Sequence, residues 1–179
     1  MNSSTSRYAR ALADVAVSHK ADGAAVIGEL QAMAEMLKSS PELRTVWETP
    51  SVPEPQKLAL LDAIVQRAGI SPEVRNFVAV LIDRRLMNSL PVIARQFKQE
   101  MNDRMGIAEA EIISSRELSA GEKQPLERKI AETTGKIIQP RYTVDEKILG
   151  GVIVKIGSTI YDGSVRGELH RLKKELSAR

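Results

Sequence analysis

The sequence has no cysteine among its 179 residues. Disulfide bonds, thiolate metal sites and cysteine nucleophiles are therefore excluded. Aromatic residues make up only 3% of the chain, which weakens any interpretation based on base stacking. No apolar run approaches the roughly eighteen residues that a membrane span requires, and the first residues lack the apolar stretch of a secretory signal. We therefore expect an intracellular protein.

Charge is nearly balanced along the chain, with a net charge of +3 and a pI near 9.2. Residues 1–105 carry 13 basic and 12 acidic side chains, and residues 106–179 carry 13 and 11. A nucleic-acid binder concentrates its positive charge in a patch. One alternative is a small basic RNA- or ribosome-associated module, which would use the Arg/Lys cluster at the C-terminus. The near-equal numbers of basic and acidic side chains and the few aromatic residues disfavour it.

The first hundred residues show apolar periods close to 3.6, separated by short turns. They predict six helices. These are residues 4–19, residues 23–39, a short helix that continues to Trp47, a helix that begins after Pro55, a helix at about 72–87, and a helix that continues to Met105. Such a series of short-linked helices is typical of a compact bundle. At Gly106 the period changes to 2. The sequence thus predicts an α+β fold, with a six-helix bundle at 1–105 and a small mixed α/β domain at 106–179.

Two of these helices carry unusual surfaces. In the first, Tyr8, Leu12 and Val15 form one apolar stripe, and alanines at 9, 11, 13 and 16 leave a smooth surface that suits another helix. The fifth has more apolar residues than one core-facing stripe needs: Val74, Phe77, Val78, Val80, Leu81, Ile82 and Leu86.

The mixed domain begins with a predicted strand that places Ile107, Glu109, Glu111 and Ser114 on one face. Ser119 and Glu122 have the spacing of a capping box and open a helix. A second strand, 137–144, contains Pro140 and is therefore expected to be an edge strand or a bulged one.

A hairpin and a helix close the sequence. Strands at 152–156 and 159–161 flank Gly157-Ser158, a pair typical of a tight primed turn. Gly150-Gly151 predicts a bend or a close approach of another backbone, and residues 162–164 are expected to end the second strand. The final helix has an apolar face formed by Val165, Leu169, Leu172 and Leu176.

No pattern for catalysis, cofactor binding or metal binding emerges. The two histidines, His19 and His170, have no second ligand at metal-binding spacing in the sequence. A phosphate-binding loop and a nucleophile elbow are both absent. An enzyme with an unrecognised site stays an alternative, which would require a pocket with convergent polar groups.

The last third of the sequence resembles the signature of the delta subunit of the F-type ATP synthase, whose mitochondrial counterpart is the oligomycin-sensitivity-conferring protein. The resemblance rests on Asp145 and on residues 148–169, ILGGVIVKIGSTIYDGSVRGEL. Three further stretches agree in order and spacing: residues 7–12, residues 76–85, and residues 113–119. Glu146 replaces a proline that is usual after the aspartate.

The resemblance implies a non-catalytic stator subunit without a cofactor, which ties the catalytic head to the peripheral stalk so that proton flow drives ATP synthesis. It implies a peripheral position on the cytoplasmic face of the bacterial inner membrane, with membrane contact only through the complex and no nucleic-acid partner.

The resemblance also implies two binding sites. A groove between the first and fifth helices would take the N-terminal helix of an alpha subunit of the head, through Tyr8, Ala11, Asn76 and Val80. The C-terminal domain would meet the C-terminal end of the b subunit, with five candidate residues: Gly150, Gly151, Val165, Leu169 and Leu172.

Overall fold

The computed structural model describes residues 3–167 and 169. The chain divides into two compact units, Met1–Met101 and Asn102–Arg179. The N-terminal unit is built from α1 (Ser3–Ser18), α2 (Gly23–Ser39), α3 (Pro41–Glu48), α4 (Glu54–Ala68), α5 (Pro72–Asp83) and α6 (Leu90–Arg104), with a 3-10 turn at Met87–Ser89. The division between the units falls within the last turn of α6, just before the predicted change of period.

Local signals account for most helix boundaries. The Asp22 side chain accepts hydrogen bonds from the backbone of Ala24 and Ala25, which caps α2. Prolines occupy the first turn of α3, α4 and α5, where a missing N–H costs nothing. Gly69 ends α4 in the left-handed conformation.

The fifth helix ends at Asp83, before the predicted end near residue 87. Arg85 takes a positive φ of 56°, the Arg85 N–H donates to Ile82 O, and the Leu86 N–H donates to Leu81 O. This pair of hydrogen bonds is the Schellman ending. Arginine stands where glycine is usual, so the sequence carried no signal for this end.

All six helices contribute side chains to one hydrophobic core, in which Trp47, Leu30 and Phe97 are fully buried. Two hydrogen bonds between Trp47 and Lys57 join α3 to α4. The indole Nε1 donates to Lys57 O at 3.3 Å, and the buried Lys57 Nζ donates to Trp47 O at 3.0 Å. Each polar atom that this contact buries thus gains a partner, as burial requires.

The C-terminal unit contains β1 (Ile107–Ser114), α7 (Ala120–Thr134), β2 (Ile137–Val144), a 3-10 turn at Glu146–Ile148, β3 (Gly151–Ile156) and β4 (Thr159–Ser164). The strand order is β2-β1-β3-β4. The β1–β2 pair is parallel and is connected through α7, whereas the other two pairs are antiparallel. The mixed α+β class predicted from the sequence is confirmed.

One face of this sheet packs against α7. Ala110 and Ile112 of β1 and Val154 of β3 are buried with Ile130 of α7. Ser114 lies on the same buried face, so its predicted place beside the glutamates was wrong. Its hydroxyl donates to Arg116 O at 2.6 Å, which satisfies the buried oxygen and makes serine acceptable there.

The opposite face and the edges follow the sequence more closely. Glu109 and Glu111 share the opposite face, where Glu111 lies 3.2 Å from Lys155 Nζ. Strand β2, with Pro140, is an edge strand as predicted. Gly157, at φ +57°, forms the two-residue turn between paired residues 156 and 159. Strand β4 continues to Ser164, beyond its predicted end, because residues 162–164 pair with β3.

The predicted capping box opens α7. The groups that donate hydrogen bonds to its Glu122 carboxylate lower the pKa of that group. The Arg116 guanidinium donates to both Glu122 carboxylate oxygens, at 3.1 and 2.6 Å. The backbone N–H and hydroxyl of Ser119 donate to the same carboxylate. Together, with the arginine hydrogen bonds as the largest cause, they lower the pKa of Glu122 from 4.5 to about 2.

A lowered folded-state pKa gives stabilisation that is fully present above the unfolded value and is lost as the pH falls through the folded value. We expect the C-terminal unit to lose stability between pH 4.5 and about 2 partly through this group. Urea unfolding at several pH values should show a weaker pH dependence for Glu122→Gln than for wild type. Parallel curves for the two proteins would contradict the assignment.

Candidate partner-binding surfaces

Helices α1 and α5 contact each other in the N-terminal unit. At the C-terminal end of α1, His19 Nδ1 lies 3.2 Å from Glu73 Oε1 in the first turn of α5. A backbone hydrogen bond and, secondly, the bond to His19 hold the pKa of Glu73 below its usual range. The sequence could not indicate this pair because its members are far apart in the chain.

The four residues implied for the head-binding groove lie on these two helices. Tyr8 is half-buried and packs against the core, whereas Ala11 is exposed. Asn76 and Val80, one helical turn apart, are both exposed, and the Val80 side chain is 46% exposed. Val80 is thus an apolar residue of α5 beyond its core stripe, as the sequence predicted. We call these four residues the α1–α5 surface.

Three of the four alanines of α1 suit close packing against other helices, as the sequence predicted, and those helices belong to the same unit. Ala9, Ala13 and Ala16 are buried in the core of the unit, and Ala11 alone of the four alanines is exposed. The small side chains therefore let α1 pack closely against its own neighbours. Val15, expected in the core stripe, is exposed instead.

A shallow depression of about 170 Å³ lies on the outer face of α1, lined by Ser6, Arg7, Arg10, Ala11 and Asp14. Arg10 Nε also lies 3.8 Å from Glu100 of α6. The sequence had assigned no binding role to Arg10 or Asp14. The available signal was their helical spacing, which places them on one face with Ala11.

In the C-terminal unit, three consecutive residues at the start of β3 have positive φ: Leu149 at 63° and Gly150 at 147°, which precede the strand, and Gly151 at 79°, its first residue. A Cβ atom on Gly151 would lie 2.3 Å from the Gly163 carbonyl oxygen, and one on Gly150 would lie 3.2 Å from Val165 Cγ2. The predicted close approach of another backbone is therefore present at Gly151.

Two of the remaining stalk candidates, Val165 and Leu169, are apolar and face solvent. Residues 165–167 and 169 are helical, and Val165 and Leu169 are both exposed. Leu172 lies outside the described residues. Leu149 is 72% exposed, and the sequence had assigned it no role, although a leucine directly before Gly-Gly is unusual for a turn.

Within residues 3–167 and 169, no group of three histidine, aspartate or glutamate side chains is arranged to hold a metal ion. The described part of the chain also contains no helix that is both long and apolar enough to cross a membrane. Exposed apolar side chains lie on α5 at Val80 and in the loop before β3 at Leu149.

Comparison with known proteins identifies the family of the chain. Residues 5–176 match the family model "ATP synthase delta (OSCP) subunit". The chain is 47% identical to ATP synthase subunit delta of Koribacter versatilis over 178 residues, covering 99% of each chain. It is 37% identical to the subunit of the same name from Acidobacterium capsulatum, covering 97% of each. The chain belongs to the ATP synthase delta (OSCP) subunit family.

A solved structure has the same fold. One chain of the Toxoplasma gondii mitochondrial ATP synthase hexamer, determined by cryo-EM, superposes with a TM-score of 0.68. The two chains are 23% identical, and the match covers 98% of each. At this identity the likeness concerns the fold.

Substitutions at Gly151 and Gly157 test whether the nearby Gly163 carbonyl oxygen requires glycine at position 151. Gly151→Ala should destabilise the C-terminal unit by more than about 3 kcal/mol, because the new methyl group meets a main-chain oxygen that cannot move away easily. Gly157→Ala is the matched control, since it also has a positive φ but open space around it, and should cost about 1–2 kcal/mol. Equal losses in urea unfolding would contradict the steric account.

Proposed function

We propose that this chain is a non-catalytic stator subunit of a rotary F-type ATP synthase, which links the catalytic head to the b-subunit stalk. The observation that carries the proposal is the family match over residues 5–176, which spans both compact units. A linking role requires two separate binding surfaces on one chain. Each unit has an exposed apolar surface of its own, which supports this role.

In this proposal the N-terminal unit is a six-helix bundle that binds the N-terminal helix of an alpha subunit at the α1–α5 surface. An amphipathic helix binds by placing its apolar residues in a groove between helices. Val80 offers an exposed apolar anchor on α5, and Ala11 is a small exposed residue on α1. One fully buried anchor of this size contributes about 1.5–3 kcal/mol.

The C-terminal unit, in the same proposal, binds the C-terminal end of the b subunit. Gly150 and Gly151 would act indirectly, because they allow the loop to lie against β4 and the helix that starts at Val165. Val165 and Leu169 would make the direct apolar contacts. Two linked sites raise the overall affinity through effective concentration, so the connection can hold under load without one very tight interface.

The location follows from the assembly. The chain would lie on the cytoplasmic face of the bacterial inner membrane and reach the membrane only through the other subunits. It would carry no cofactor and bind no nucleic acid. Its contribution to ATP synthesis would be mechanical, since a stator prevents the head from turning with the rotor while protons pass through the membrane sector.

A charge placed on the α1–α5 surface should weaken head binding. We expect Val80→Asp to reduce the affinity of the full-length chain, for a peptide copying the N-terminal helix of the cognate alpha subunit, by about tenfold or more. The reason is that the aspartate would be desolvated in the complex without a partner. Isothermal titration calorimetry measures the affinity.

The matched control is Val92→Asp on α6, because Val92 is 45% exposed and Val80 is 46% exposed. Both variants should unfold at the wild-type urea concentration, since neither side chain belongs to the core. Equal peptide affinity for Val80→Asp and wild type would rule out the groove assignment.

A further inference from the structure

Arg75 of α5 is held in place by an aspartate of the neighbouring helix α4. Its Nε donates to Asp62 Oδ1 at 2.7 Å, and its Nη2 donates to Asp62 Oδ2 at 3.1 Å. The hydrogen bonds from Arg75 hold the pKa of Asp62 below its usual range, so the carboxylate stays charged at neutral pH. An arginine–carboxylate pair with two parallel hydrogen bonds fixes the plane of the guanidinium as well as its position.

The third nitrogen of this guanidinium contacts the next residue in the chain. Arg75 Nη1 donates to Asn76 Oδ1 at 3.3 Å. Adjacent residues of a helix point about 100° apart and do not face each other, so the contact requires a guanidinium turned toward Asn76, which the pair with Asp62 provides. Because a guanidinium carries only donors, the amide atom that faces it must be the oxygen. Arg75 therefore determines which way round the Asn76 amide lies.

This orientation leaves the nitrogen of the Asn76 amide available to a partner. Asn76 is exposed, and within residues 3–167 and 169 its side chain makes no hydrogen bond other than the one that it accepts from Arg75. The amide oxygen is thus engaged, and the amide nitrogen carries two N–H donors. The side chain presents donors to whatever covers it.

Asn76 lies one helical turn before Val80 on the α1–α5 surface, and residues so spaced are neighbours on the surface of a helix. A bound helix whose apolar residue covers Val80 therefore also covers Asn76 and removes its amide from water. A donor that is buried without an acceptor is destabilising. Main-chain carbonyls inside a helix are already bonded, so the acceptor has to be a side-chain oxygen or a carbonyl of the last turn of the bound helix.

We infer that Asn76 is a hydrogen-bond donor that selects the bound helix, and that Arg75 is a positioning residue that orients the Asn76 amide. The alpha-subunit helix supplies an oxygen acceptor about one turn from the apolar residue that covers Val80. This inference rests on the proposed head-binding role. It adds to that role the polarity of one contact and the arginine that sets it.

Asn76→Asp tests the donor, because the two side chains have nearly the same shape and a carboxylate has only acceptors. In isothermal titration calorimetry of the full-length chain with a peptide copying the N-terminal helix of the cognate alpha subunit, the affinity should fall about tenfold. The loss should persist at high salt, since it comes from a missing hydrogen bond and not from the added charge. Wild-type affinity, or a loss that disappears at high salt, would overturn the donor role.

A double-mutant cycle tests the positioning role. Arg75→Met removes the guanidinium and keeps an unbranched apolar side chain, and it should weaken peptide binding several-fold. In an Asn76→Ala background the same substitution should cause no further loss, because Arg75 acts only through the amide that is then absent. An arginine that merely joins α5 to α4 would weaken binding equally in both backgrounds, and that result would overturn the positioning role.

Lys38→Met is the control, because Lys38 is also a paired basic residue, 3.3 Å from Glu35, and lies on α2 outside the α1–α5 surface. It should bind the peptide like wild type, and a loss as large as that of Arg75→Met would show a general effect of charge and overturn the inference. If wild type binds the peptide and the Asn76→Asp and Arg75→Met variants bind it equally well, the inference fails and the head-binding role stands. If wild type does not bind the peptide at all, both fail.

Discussion

The backbone of Gly151 lies so close to the carbonyl oxygen of Gly163 that a Cβ atom would be only 2.3 Å away. This approach lets the loop before β3 rest against the end of β4, where a Cβ atom on Gly150 would lie 3.2 Å from Val165 Cγ2. The packing of two distant segments, the loop before β3 and the helix that starts at Val165, thus depends on one contact between main chains.

A second constraint concerns how each unit divides its apolar residues between its core and its surface. The N-terminal core contains Trp47 and Phe97 together with many aliphatic side chains, and α1 contributes mostly alanines to it. Val80 stays outside that core. Since burial of one such side chain is worth about 1.5–3 kcal/mol, leaving it exposed gives up stability that a partner helix can recover on binding. The same reasoning applies to Val165 and Leu169.

Much of the fold could be predicted from the sequence, because capping residues, prolines and the change of period at Gly106 are local signals. The end of α5 could not, since Arg85 adopts a conformation usually reserved for glycine. Ser114 was misplaced because the prediction broke the alternation of the strand: residue 114, three positions after Glu111, lies on the other face. Its burial is acceptable because the hydroxyl donates to Arg116 O. Val80 was named because the resemblance implies a groove between α1 and α5, and the sequence alone showed only that α5 has more apolar residues than one core-facing stripe needs. The exposure and positive φ of Leu149 were not predicted, since neither follows from residue type.

The central claim is that one chain binds the head and the stalk at the same time through separate units. The most direct measurement is sedimentation of the full-length chain mixed with both the alpha-subunit peptide and the membrane-free b fragment. The account predicts a complex with one copy of this chain that contains both partners, and an affinity for each partner that the other leaves unchanged or increases. Displacement of one partner by the other would contradict the claim, because it would mean that they share a site.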